Sequence, residues 1–98
     1  MEYVTIDGTT ATVKVVGRYD LTKTVFVNRE LEDAINGGVH KVIIDFEETT
    51  YIDSSTLRDL VRIGRRIGLE NFFYKNANGD ILVALQVGKL DTAWTKTE

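Results

Sequence analysis

The sequence predicts an α/β sandwich: a mixed β-sheet of four to five strands with about three to four helices, in the order β-β-α-β-α-β-α-β. Three observations carry that expectation. An Asp-Gly turn joins two short β-rich runs near the start. The run KVIIDF, residues 41–46, is nearly unbroken in apolar character and rich in β-branched side chains, as a central strand is. Amphipathic helical periodicities lie on both sides of that run.

Taken in order, YVTI, the Asp7-Gly8 turn and ATVKVV form a β-hairpin, with Ala11, Val13 and Val15 alternating against Thr12 and Lys14. Gly17 to Asp20 is expected as the exit loop. From about Thr24 the period becomes helical, with Val27, Leu31, Ala34 and Ile35 on one face and Asn36-Gly37-Gly38 as the stop. KVIIDF then reads as a strand buried on both faces. The following helix carries Leu57, Leu60, Val61, Gly64 and Ile67 as its apolar stripe, opposed by Arg58, Asp59, Arg62, Arg65 and Arg66. NFFYK reads as a strand, Ile81 to Val87 as a third helix, and Ala93-Trp94-Thr95 as a short last strand. Without repeat or low-complexity stretch, residues 1–98 are expected to form a single domain around the Val42–Phe46 strand, with right-handed crossovers.

Composition narrows the function classes. Hydrophobic residues at 43% and charged residues at 28% of 98 residues suit a folded domain with one core. No apolar run reaches the length of a membrane span, and the start lacks a basic segment followed by an apolar one, so a cytoplasmic protein without membrane insertion is expected. The absence of cysteine removes disulfides and thiolate metal sites. A net charge of −3 supplies no electrostatic reason to bind nucleic acid.

Enzymatic motifs are missing. Neither GxGxxG nor GxxxxGK[ST] occurs, so no phosphate cradle is visible and no cofactor is expected. His40 is the sole histidine and makes neither a metal site nor a triad by itself; a structural place at a strand edge is its simpler reading. NANGDI, residues 76–81, has its glycine misplaced for a calcium loop and Val87 where the bidentate Glu belongs, so it reads as a turn plus helix cap. Gly64 and Gly68 make a GxxxG that, in a charged helix, implies close packing. With no catalytic groups left, an enzyme is not expected.

Two features remain. Arg58, Arg62, Arg65 and Arg66 share one helix flank, either a solvated face or a docking surface for an acidic partner. The second is TTYIDSSTLRDL, residues 49–60, which places Ser54, Ser55 and Thr56 behind Asp53 at a helix start. Asp53 or Ser54 as an N-cap is the plain explanation. The other is that one hydroxyl is a substrate for phosphorylation. A phosphate on Ser54 would look ahead to Arg58, an attractive pair, whereas one on Ser55 would look to Asp59. Helical geometry, at about 100° per residue, points Ser55 furthest from the apolar stripe and sets Ser54 and Thr56 at its edges.

IIDFEETTYIDSSTLRDLVRIGRR resembles the signature of STAS domains, most closely that of the bacterial anti-sigma factor antagonists: an apolar strand ending in Asp, a short turn, then Asp-Ser-Ser-Gly-Leu opening a helix. GRYDL resembles the family's acidic loop and VGKLDTAW its C-terminal end, so the likeness spans nearly the whole chain. The resemblance implies a STAS-like sandwich and a switch protein. Its unmodified form would bind a partner that is both anti-sigma factor and serine kinase, freeing the sigma factor. Phosphorylation of Ser54 would release the partner, and a phosphatase would reset the switch. Ser55 is the second choice. Asp20, Asp53 and Thr56 are the implied neighbours of the phospho-site, and Ser55, Leu57, Arg58 and Arg62 the expected partner contacts. Thr56 stands where most relatives have glycine, and its branched side chain is expected to crowd the helix start. The alternative is a STAS subunit permanently docked in a transporter or stress-signalling assembly and never phosphorylated.

Overall fold

The computed structural model describes residues 1–97. Strands β1 (Val4–Asp7) and β2 (Thr10–Lys14) form the hairpin, turned by Gly8 at φ +62°, a backbone conformation that a side chain would strain. Strand β3 (Gly17–Tyr19) and helix α1 (Leu21–Asn36) follow, then β4 (Lys41–Asp45) and β5 (Thr49–Ile52). Helix α2 (Ser54–Gly64) leads through a 3₁₀ turn (Leu69–Asn71) to β6 (Phe72–Lys75). Helices α3 (Gly79–Val87) and α4 (Leu90–Ala93) precede β7 (Thr95–Lys96).

The main sheet has the order β1-β2-β4-β6-β7, antiparallel at β1–β2 and parallel elsewhere, so α1, α2 and the α3–α4 pair are its crossovers. Its inner face carries Ala11, Val13, Val42, Ile44, Phe72 and Tyr74, packed with Val27 and Leu31 of α1, Leu57, Leu60 and Ile63 of α2, and Ile81 and Leu85 of α3. This is the expected mixed α/β architecture, with differences of local origin.

KVIIDF packs into the apolar core on one face only; on the other, Asp45 is buried but hydrogen-bonded by Asn76 and the Glu47 amide. Val42 and Ile44 point inward, while Ile43 is half-buried on the outer face and the Lys41 ammonium rests 4.6 Å from the centre of the Phe73 ring. The stretch Gly17 to Asp20 is not merely a loop: Gly17–Tyr19 is a strand, paired in parallel with β5 as a separate two-stranded sheet. Helix α1 starts at Leu21, ahead of Thr24, because Asp20 caps it. Helix α2 stops at Gly64, so its buried stripe is Thr56, Leu57, Leu60, Ile63 and Gly64, with Ile67 beyond its end. A side-chain carbon at Gly64 would lie 3.0 Å from Leu69 Cδ2 and 3.3 Å from the Phe72 ring, which is the close packing that GxxxG implied. The last strand begins at Thr95, after the short α4, and Trp94 is buried against Phe72 with ring centroids 5.7 Å apart. His40 is exposed, and its backbone N–H donates to Thr9 O. Asn76–Asn78 leads into α3, with Asn78 at the N-cap position but making no side-chain capping hydrogen bond.

Candidate functional site

The small sheet positions the site. Thr49 Oγ1 donates to Val15 O at 2.8 Å, fastening β5 to the end of the hairpin. Tyr19 pairs with Ile52, both buried, so the chain leaves the two parallel strands side by side. The next residue in each case is an aspartate that N-caps a helix: Asp20 for α1, Asp53 for α2. The positive ends of two helix dipoles therefore open on the same side of the molecule, each closed by a carboxylate.

The two caps repeat one pattern. Asp20 Oδ1 accepts from Thr22 N at 3.1 Å and from Thr22 Oγ1 at 2.7 Å, and Arg18 Nε lies 3.1 Å from Asp20 Oδ2. Asp53 Oδ1 accepts from Thr56 N at 2.8 Å and from Ser55 Oγ at 3.1 Å. Hydrogen bonds from the Thr22 hydroxyl, then from Arg18 and the Thr22 amide, hold the Asp20 carboxyl below its ordinary value. For Asp53, burial pushes upward most strongly and the Asp20 charge adds to it, yet the hydrogen bonds from Thr56 and Ser55 together outweigh both and keep it low. Both carboxylates are thus ionised at neutral pH.

The hydroxyls of DSSTL part company here. Thr56 is buried and points inward, 2.8 Å from Thr24 Oγ1. Thr24 spends its single hydroxyl hydrogen on Asp20 O at 2.7 Å, so Thr56 is the donor between them. The expectation that Thr56 crowds the helix start is overturned, and its hydroxyl is no candidate for modification. The side chain ties α2 to α1 instead of projecting outward. Ser55 is exposed but engaged with Asp53. Ser54 is exposed in the first turn and takes no part in capping, because Asp53 supplies the cap.

The arginine flank is divided. Arg62 Nη1 lies 3.5 Å from Glu32 Oε1 and Arg66 Nη2 donates to Asn36 Oδ1 at 2.6 Å, so both lean toward α1, as does Asp59, which accepts from Asn28 Nδ2 at 3.3 Å. Arg58 turns the other way. With Ser54, Leu57 and Val61 it forms one wall of an open groove of about 370 Å³ whose other wall is Ala84, Val87 and Leu90. Leu57, expected as a partner contact, is mostly buried and lines this groove.

Sequence reading missed Arg18, Tyr51 and Thr24. The apolar third helix, with Val83 and Val87, leaves little polar face and reads from sequence as either core or a contact surface, but not as meeting α2 in a groove. The Arg18 guanidinium stands 4.2 Å above the centre of the half-exposed Tyr51 ring beside the Asp20 cap. The repeat Asp-x-[Ser/Thr] in GRYDLT and YIDSST marks the paired caps through Thr22 and Ser55, but it does not point to Thr24. Among the described residues there is no group of three or more His, Cys, Asp or Glu able to hold a metal, and no helix long and apolar enough to cross a membrane. The site offers an exposed hydroxyl, Ser54, next to the Asp53 carboxylate that Thr56 and Ser55 hold in place.

Comparison with known proteins agrees with this architecture. The anti-sigma-factor antagonist (STAS) domain protein from Planctomyces limnophilus is 25% identical, with a TM-score of 0.79 over 97% of this chain and 89% of that one. An anti-sigma factor antagonist from Mycobacterium paratuberculosis is 18% identical, with a TM-score of 0.79 over 95% and 80%. The Bacillus cell fate determinant SpoIIAA, solved in unphosphorylated and phosphorylated forms, is 17% identical in the latter, with a TM-score of 0.75 over 97% and 89%. At 17–18% identity the likeness to the last two shows the shared fold. No curated protein sequence matches the chain. The STAS domain family model matches residues 1–90, nearly the full length, and the chain belongs to the STAS domain family.

Proposed function

We propose that this STAS domain, spanning the whole chain, is an anti-sigma factor antagonist that works by phosphorylation-controlled partner switching in the cytoplasm, with Ser54 as the modified residue. The observation that carries the reading is the division of labour at the start of α2: Asp53 caps the helix, Ser55 braces Asp53, Thr56 is buried, and Ser54 alone is exposed without a structural task. A kinase can take that hydroxyl without dismantling the helix. SpoIIAA, which shares the fold, is a protein with a phosphorylated form.

The physical consequence suits release. Phosphorylation adds about −1.5 to −2 charges. They arrive beside two carboxylates that are already ionised, Asp20 and Asp53. Desolvating that dianion in an interface costs several kcal/mol, and each ~1.4 kcal/mol is tenfold in affinity. In this reading the unmodified domain occupies an anti-sigma factor that is also a serine kinase, with Ser55, Arg58 and Arg62 near the contact, and a phosphatase restores the free serine.

The test is intact mass of the protein purified from its native cells, followed by sequencing of the modified peptide. One phosphate localised to Ser54 is expected. Ser54→Ala should keep partner binding and lose phosphorylation, and Ser54→Asp should weaken binding. A phosphate found on Ser55 would correct the residue. No phosphate under any growth condition or with added kinases would instead identify a permanently docked STAS subunit.

A further inference from the structure

The groove between α2 and α3 serves no purpose in the phospho-switch as just described, and it is an apolar concavity that opens beside the site. Its α2 wall is Leu57 and Val61, its α3 wall Ala84 and Val87, and the Ser54 hydroxyl stands at its rim. Helix α3, GDILVALQV, has only Asp80 and Gln86 as polar side chains. Ile81 and Leu85 satisfy the core, which leaves Val83 54% and Val87 81% exposed, one turn apart on the outer surface. Of the two, Val87 lines the groove, where with Leu57, Val61 and Ala84 it makes a contiguous apolar surface of the kind that marks interaction sites.

Charge selects the occupant. Arg58 is the one charged residue lining the groove, and it is exposed with no ion pair among the described residues. Arg62 and Arg66 do not share this wall, because they turn toward Glu32 and Asn36 of α1. A single guanidinium, Arg58, therefore stands on the α2 wall of an apolar groove in a protein whose net charge is −3. At about 370 Å³ and open to solvent, the groove has room for an aliphatic or aromatic side chain carried in by a helical or extended segment.

We propose that this groove receives a segment of a partner protein bearing one large apolar anchor followed by an acidic side chain, the anchor seated between Val61 and Val87 and the acid paired with Arg58. The proposal rests on the partner-switching reading for the identity of the partner, and it deepens that reading. The anchor enters beside Ser54, so a phosphate there would stand against the incoming acid and would compete with it for Arg58, which lies one helical turn ahead. Release would then come from loss of a specific acid–Arg58 pair as well as from general repulsion.

The experiment uses the intact chain and a displayed library of random peptides, followed by affinity measurements on the selected peptides by fluorescence anisotropy. The expected consensus is an apolar residue followed within about one helical turn by Asp or Glu. Binding should weaken at least about tenfold in Val87→Glu and in Arg58→Glu, both surface changes that leave the far-ultraviolet circular dichroism intact. Selected peptides that lack an acid, or that bind both variants as well as the parent, would overturn the proposal. The same peptides are then tested on protein carrying phosphoserine at position 54. Weaker binding there supports the link between groove and switch. Undiminished binding, with both groove variants still impaired, would leave the groove as a docking site and count against Ser54 phosphorylation as its gate.

Discussion

Asp53 and Thr56 divide the work of starting α2, and each makes a measurable contribution. Asp53 accepts from the Thr56 amide at 2.8 Å, so Asp53→Ala should cost about 1 kcal/mol in urea unfolding, the usual loss of a carboxylate N-cap. The carboxyls of Asp53 and Asp20 are depressed in the fold relative to an ordinary value of 3.8. A depressed carboxyl contributes stability that is present above its unfolded value and is lost as pH falls through its folded one. Thermal stability should therefore decline as pH drops below about 4, and Asp53→Asn, which keeps a capping oxygen but cannot titrate, should flatten that acid limb. A melting-temperature series in pH checks this, and an unchanged limb would mean that Asp53 is not held low. Thr56→Val should cost about 1 kcal/mol by leaving the Thr24 hydroxyl oxygen without its donor, whereas Ser54→Ala should stay within about 0.5 kcal/mol. That contrast separates the hydroxyl built into the fold from the one left free for a kinase. It was half legible: the letters DSS point to a cap and a candidate serine, but which side chain caps and which faces inward depends on where the helix begins. Thr56 shows the limit, since its hydroxyl finds a partner in Thr24, far away in sequence and reachable only once the two helices lie side by side.

At the scale of elements, the hairpin, the KVIIDF and NFFYK strands and the main helices read correctly, whereas the two short strands of the small sheet, β3 and β5, did not. β3 contains only Gly17, Arg18 and Tyr19, has no alternation to detect, and exists because β5 lies beside it. The residues that end these strands were the better clue, since Asp20 and Asp53 each stop an extended run and cap the helix that follows. The apolar stripe of α2 was misjudged for a related reason. A helix continued through Gly68 would bring Ile67 inward, but α2 ends at Gly64, with Arg65 as its C-cap, and Ile63 takes the fully buried place. Ile63→Ala should accordingly cost about 2–5 kcal/mol, as a buried isoleucine truncated to alanine does. Ile67→Ala, at a half-buried position, should cost clearly less. Equal losses in equilibrium unfolding would contradict the observed end of the helix. Arg62→Ala should cost no more than about 1 kcal/mol, because its partner Glu32 is itself exposed.

At the scale of the whole molecule, the mixed sheet and its core were visible in the sequence because local periodicity and chain order determine which strands a crossover can join. The groove was not, since it arises where α2 and α3, separate in the chain, flank one another above the sheet. The same global arrangement determines how a modification at Ser54 must act. Ser54 lies outside the core, in the first turn of a helix whose dipole favours an anion by about 0.3–1 kcal/mol. The ionised Asp20 and Asp53 nearby oppose that gain. With two small terms of opposite sign, phosphoserine incorporated at position 54 should move the melting temperature by less than about 4 °C, since 1 kcal/mol corresponds to about 4–8 °C for a domain of this size. Chemical shifts of core amides on β4 and β6 should stay in place while those at the start of α2 move. A switch that works at its surface demands this, because the phosphorylated form must survive intact to be reset. If phosphoserine lowered the melting temperature by more than about 10 °C, release would instead proceed by opening of the helix, and the caps at Asp20 and Asp53 would be parts of the switch rather than its frame.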